Sequence, residues 1–243
     1  MLAFSGLLIQ IAGKTILTDV SASFERGTAT LLVGANGAGK TTLLRALAGR
    51  LGVSAGYIEA AGEAVDVESR SWKSRRVFLE ADAGGLEDFS PTEQLRLRAT
   101  LLGLDPVEGE RRSRALEEEF GFGPHIGSRA STLSTGFKRR LALAIAFMSD
   151  ACLMLLDEPL NGLDVEGAAA FIRLLRAFTA AGGTAVVASH ITGPLLPAVG
   201  TVVEIADGHL VRHETAQAFF HRYAAEQKME DTIRTFPWLA GRR

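Results

Sequence analysis

The chain has 243 residues, 47% of them hydrophobic and 22% charged, and its 26 Lys and Arg against 28 Asp and Glu give a formal net charge of −2. That balance excludes the basic excess of a dedicated nucleic-acid binder, and a single cysteine excludes a disulfide framework or a Cys-rich metal site. At ~150 residues per domain the length lies between one and two domains, enough to bury a large core without staples.

The N-terminus has no basic region ahead of an apolar stretch, so it does not read as a secretory signal. In chain order, residues 7–11 and 29–33 read as strands, and a helix pattern over 40–47 follows the second. Between strand and helix lies Gly34-Ala35-Asn36-Gly37-Ala38-Gly39-Lys40-Thr41, which fits G-x-x-x-x-G-K-[ST] in the strand–loop–helix setting that pattern requires. Its glycines let the backbone wrap closely enough for successive N–H groups to face phosphate oxygens. The helix starting near Lys40 turns its positive end to the same anion. The candidate phosphate-binding residues are Gly34, Asn36, Gly37, Ala38, Gly39, Lys40, Thr41 and Thr42, with Lys40 reaching β- and γ-phosphates and the Thr41 hydroxyl ligating Mg²⁺.

From Ser90 to about Phe147 the pattern is helical almost throughout, an insertion into a β/α alternation. Ser90-Pro91-Thr92-Glu93 reads as a capping box with Pro at the first helical position, heading a helix that carries Leu95 and Leu102. A charged helix over 111–120 ends at Gly121 and Gly123, and Ser134 is the natural N-cap of a third over 136–148. The most apolar stretch, 141–156, is broken by Asp150 and abutted by Arg139 and Arg140, short of the ~20 apolar residues of a membrane span.

Residues 152–156 read as a buried strand ending in Asp157 and Glu158, with Cys152 in the core. A carboxylate ending a strand beside the phosphate loop holds Mg²⁺, which suits Asp157. Glu158, on the alternate face, polarises an attacking water. Strands over 184–188 and 202–205 follow, and Asp207-Gly208 marks a hairpin into 209–211. In the tail, Phe219, Phe220 and Tyr223 recur near helical spacing, as in a helix packed on the body.

With these residues in view, the chain resembles the ATP-binding subunit of an ATP-binding-cassette (ABC) transporter. Leu133-Ser134-Thr135-Gly136-Phe137-Lys138-Arg139-Arg140 resembles the family's signature, L-S-G-G-Q, and residues 159–164 its D-loop; Ala188-Ser189-His190 resembles its switch histidine. The likeness runs from about Leu7 to Val211. It implies an α/β fold: a P-loop NTPase core with a mostly parallel sheet, an N-terminal antiparallel β portion and an inserted α-helical subdomain. The division it implies is an ATPase domain over 1–213, with the insertion at about 84–147, and a helical tail over 214–243. It further implies ATP and Mg²⁺ as ligands, catalysis by Glu158 and His190, and Ser134 and Gly136 capping the γ-phosphate held by a second cassette. The implied partner is a separate transmembrane permease, which would place the chain on the cytoplasmic face of the membrane; nucleic acid is not among the partners.

Three positions depart from the family pattern. Ile11 stands where an aromatic usually stacks on adenine, with Phe4 as the nearby substitute. Asp82, or else Glu80, aligns with a glutamine that senses Mg²⁺, so Asp82 is a candidate metal ligand. Thr135 and Phe137 vary the signature itself in a way found among export-type cassettes. The resemblance therefore implies an ATPase that powers export. A hydrolysis-impaired regulatory cassette paired with another ATPase subunit, or a soluble cassette in cluster assembly, are the alternatives.

Overall fold

The computed structural model describes residues 1–82 and 85–226. In chain order these form β1 (Leu2–Ile11), β2 (Lys14–Phe24), β3 (Ala29–Val33), α1 (Lys40–Leu47), β4 (Ala55–Ala60), β5 (Glu63–Ala64), α2 (Arg70–Arg75) and β6 (Arg76–Leu79). The inserted block carries α3 (Pro91–Leu101), α4 (Pro106–Phe120) and α5 (Thr135–Phe147). The remainder is β7 (Leu153–Asp157), α6 (Val165–Ala180), β8 (Thr184–Ala188), β9 (Thr201–Ala206), β10 (His209–Thr215) and α7 (Ala216–Glu226).

Two sheets result. One is antiparallel in the order β2-β1-β4-β5, and the other runs β10-β9-β3-β8-β7-β6, parallel except for β10 at its edge. The central strands β3, β7 and β8 are mostly apolar and buried throughout because both of their faces are covered. Alternate residues serve two cores: Leu31, Met154, Leu156 and Val187 face the helical block, α5 and α6. Leu32, Leu153, Leu155 and Val186 face α1 and the antiparallel sheet. Continuing that parity, Asp157 closes β7 on the α1 face.

Trp72 anchors the end of α1 on this second core. It is 5% exposed, and its Nε1–H donates to Leu47 O at 2.9 Å. In the insertion the Ser90–Glu93 capping box is complete. Helix α4 begins five residues before the expected 111, because Asp105 caps it by accepting from the N–H groups of Val107 and Glu108, with Pro106 at its first position. Gly109 inside this helix permits the close approach of α3, since a Cβ there would lie 2.9 Å from Ala99 Cβ.

Two expectations are corrected. Cys152 is exposed rather than core, because it precedes β7 and turns its Sγ to Arg75 O at 3.4 Å. Phe4 is unavailable to a base, since it lies 3% exposed in an edge-to-face pair with Phe24. The hairpin forms at Asp207-Gly208, both at positive φ (49° and 78°), as a two-residue turn of the strand-compatible hand requires. Strand β10 runs to Thr215, so the helical tail begins at Ala216, and residues 227–243 lie outside the described set. Phe219 of α7 is buried, and its ring stacks on Tyr223. No helix among the described residues is long and apolar enough to cross a membrane.

Candidate active site

The C-terminal ends of β3, β8 and β7 lie side by side, and each delivers one piece of the site. After β3 the chain turns through residues 34–39 into α1. Gly34 sits at φ 147°, and a Cβ there would stand 2.1 Å from Ile205 O, so the loop needs glycine at that point. The loop tip at Asn36 and Gly37 is exposed, whereas Ala38, Gly39 and Lys40 are buried. Lys40 Nζ donates to Gly34 O at 2.7 Å and Ala35 O at 3.0 Å, closing the loop on itself.

Gly39 caps α1 without a side-chain hydrogen bond, and the first turn carries no acid. The leading N–H groups of α1, at Lys40, Thr41 and Thr42, are thus aligned with the positive end of the helix and open to an anion. The Thr41 hydroxyl donates to Asp157 Oδ2 at 2.8 Å, joining the helix start to the end of β7. Burial pushes the Asp157 carboxyl above its ordinary value, and the charge of Glu158 adds to this; the Thr41 bond, Arg45 and Lys40 act in the opposite direction.

Glu158 leaves the strand in the left-handed region, at φ 47°. That conformation costs a non-glycine residue about 1–2 kcal/mol and marks a constrained position. Its N–H donates to Ala188 O at 2.8 Å. Its carboxylate receives the backbone N–H of His190 at 3.2 Å on Oε1, and His190 Nδ1 lies 2.8 Å from Oε2. The end of β8 therefore grips both the backbone and the side chain of Glu158. The carboxylate is largely covered while the imidazole stays half exposed.

The other expected residues lie around this centre. Ile11 stands 43% exposed at the tip of β1, in register with Lys14 across the hairpin. Ser134 caps α5 by accepting from Phe137 N. Gly136 fits closely against the loop after Glu158, since a Cβ on it would come within 2.8 Å of Gly162 O. Among the described residues no hydrogen bond joins Ser134 or Gly136 to the loop at 34–42. Asp82 is exposed, and its charge acts on Arg139. It forms no metal cluster with Asp157 and Glu158 among the described residues. Glu80 is taken up by Arg45 at 3.1 Å.

Two contributors are given no site role by the sequence motifs. Arg45, four residues after Thr41 and so on the same face of α1, pairs with Glu80 and places positive charge near Asp157. Arg139, on α5, is buried against the ends of β6 and β7. The i+4 spacing is the readable signal for Arg45; Arg139 lies in the signature-like stretch 133–140, where nothing marks its bonds to the strand ends.

Comparison with known proteins gives a consistent picture. A model of the ABC transporter family matches residues 17–161. The cytochrome c biogenesis ATP-binding export protein CcmA of Cupriavidus necator is 34% identical over 203 residues, covering 83% of this chain and 87% of that protein. The phosphonates import ATP-binding protein PhnC 1 of Natronomonas pharaonis is 32% identical over 228 residues, 90% of this chain and 95% of that protein. A solved structure described as the ATP binding subunit of an ABC transporter superposes with a TM-score of 0.83 over 92% of this chain and 93% of its own, at 24% identity, which is a likeness of fold.

Proposed function

The chain belongs to the ABC transporter family as an ATP-binding subunit with ATPase activity, and from that premise we propose that it hydrolyses ATP at the ends of β3, β7 and β8 to drive a separate membrane permease. The observation that carries the reading is the pairing at neighbouring strand ends: Thr41 on Asp157 at 2.8 Å, and Glu158 on His190 at 2.8 Å. Each carboxylate is thus oriented by a different element, Asp157 by the start of α1 and Glu158 by the end of β8.

In this reading the loop at Gly34–Thr42 wraps the phosphates with its N–H groups, and Lys40 exchanges its two carbonyl partners for β- and γ-phosphate oxygens. The donor set fits Mg²⁺. A hydroxyl and a carboxylate oxygen meet at a site where burial disfavours the bare carboxylate charge. Thr41 and Asp157 would hold the ion, which when bound neutralises charge on the β- and γ-phosphates. Asp82 joins them only by moving inward from its exposed position, and we assign it a lesser part. Glu158 takes a proton from the attacking water while His190 holds the carboxylate in line and contacts the γ-phosphate. Ile11 offers the base an aliphatic platform.

Ser134 and Gly136, on a separate helix end, serve the nucleotide of a second cassette, so that two chains sandwich two nucleotides and closure moves the permease. The chain then works at the cytoplasmic face of the membrane, held there through the permease. The body through the end of β10 carries the ATPase, and the tail helix that begins at Ala216 is an appendage to it. The export direction is supported by a relative named as an export protein, although one named as an importer is similar to a comparable degree. Phosphate release measured with and without the co-expressed permease tests the proposal. Expected is Mg²⁺-dependent turnover that rises in the complex; absence of release in both states would sink it.

A further inference from the structure

Arg139 is 5% exposed, and among the described residues it makes no ion pair. All five of its N–H donors go instead to backbone carbonyls. Nη1 donates to Glu80 O at 2.9 Å and Ala81 O at 3.0 Å, just past β6. Nη2 donates to Asp157 O and Glu158 O, both at 2.8 Å, and Nε reaches Pro159 O at 3.4 Å. One side chain from α5 thus ties together two chain segments that leave neighbouring strands. The adjacent Arg140 is engaged elsewhere, donating to Phe120 O at the end of α4 and pairing with Asp164.

The carbonyl held at Glu158 belongs to the residue in the left-handed conformation. Its N–H is fixed by Ala188 and its carbonyl by Arg139, with Asn161 N a further donor at 3.1 Å. A strained backbone persists only where its surroundings over-determine it. Here the second half of that constraint comes from the helix that begins with Ser134-Thr135-Gly136. A planar guanidinium, charged at every working pH, is suited to bridging several carbonyls at fixed angles, and a flexible ammonium is not.

We propose that Arg139 is a positioning residue that holds the strained backbone of Glu158 and ties the aim of its carboxylate to the pose of α5. The helix that presents Ser134 and Gly136 outward then also sets the catalytic carboxylate inward. A shift of α5 on docking a second cassette would be felt at Glu158 in the same chain. The proposal rests on the catalytic reading of Glu158.

The test is steady-state turnover of the full chain with Mg-ATP, in a double-mutant cycle of Arg139→Met with Glu158→Gln. In Arg139→Met, kcat is expected to fall at least tenfold with the KM for ATP within twofold, because the phosphate loop is untouched. In the Glu158→Gln background the same change is expected to add less than a twofold loss. Amide exchange over residues 157–161 is expected to quicken in Arg139→Met. Wild-type kcat in folded Arg139→Met, a loss confined to KM, or a full tenfold loss on top of Glu158→Gln would each overturn the proposal. Should Arg139→Met fail to fold, Arg139→Lys must give a reduced kcat at unchanged KM, and wild-type kcat in that variant overturns the proposal equally. Wild-type turnover in Glu158→Gln alone removes the reading beneath it, a result distinct from all of these.

Discussion

His190 holds Glu158 through two of its own nitrogens, one from the backbone and one from the ring. Removing the ring leaves the backbone N–H in place, so the two residues should not fail alike. Glu158→Gln is expected to lower kcat by about 10²–10⁴-fold, the range for loss of a positioned general base. His190→Ala should lose less, about 10–10²-fold, because the carboxylate keeps one of its two tethers. Parallel kcat and KM measurements on the two variants check this; a deeper loss in His190→Ala would place the main chemistry on the imidazole.

Asp157 should trade stability for function. With its folded-state carboxyl raised, the ionised form costs stability at every pH above the ordinary carboxylate range, and the cost fades as pH falls through the raised value. Asp157→Asn keeps an acceptor for Thr41 and discards the buried charge. The nucleotide-free variant should melt a few degrees higher, at about 2–4 °C per kcal/mol for a chain of this size, while Mg²⁺-dependent turnover is lost. A lower melting point at neutral pH would contradict the account of that carboxylate.

The base platform can be rebuilt. Ile11 already stands exposed at the hairpin tip, so Ile11→Tyr meets no core packing. If adenine lies over it, an aromatic should add about 0.5–1.5 kcal/mol, a roughly two- to tenfold gain in ATP affinity. Titration with a fluorescent ATP analogue reads the change, and unaltered affinity would mean the base lies elsewhere.

The insertion carries its own acid sensitivity. Arg111 and Arg112 pull the Glu108 carboxyl down to about 2, and Arg96 and Arg114 do the same to Glu110. Depressed carboxylates contribute in full above their ordinary range near 4.5 and lose that contribution as pH falls toward 2. A Glu108→Gln, Glu110→Gln variant should melt slightly below wild type at pH 6, with the gap closing near pH 2 and narrowing in 1 M salt. A gap that widens in acid would reverse the assignment.

Much of the frame could be read from the sequence. Strands β3 and β8 and helix α1 fall on the expected residues, because mostly apolar five-residue runs and a glycine-rich loop leave few alternatives. The phosphate loop and the acidic pair were legible for the same local reason. Where the outcome hung on distant partners, the sequence was silent. The start of α4 was hidden by Gly109, whose lack of a side chain serves α3 rather than a loop. Cys152 looked like core because an apolar run does not announce its first exposed residue. Arg139 stood in the signature-like stretch with nothing to set it apart from Lys138 and Arg140, since its five acceptors are carbonyls scattered over residues 80–159, and carbonyls carry no sequence signal.

Trp72 gives the chain a built-in optical reporter. Its indole N–H is bonded to the last residue of α1 and its ring is sealed from water, so its emission should be blue-shifted and respond to any movement of the far end of the phosphate-binding helix. The other tryptophan, Trp238, lies outside the described residues. With Trp238 replaced by Phe, the remaining fluorescence would follow nucleotide arrival in real time, from inside the protein and without a label.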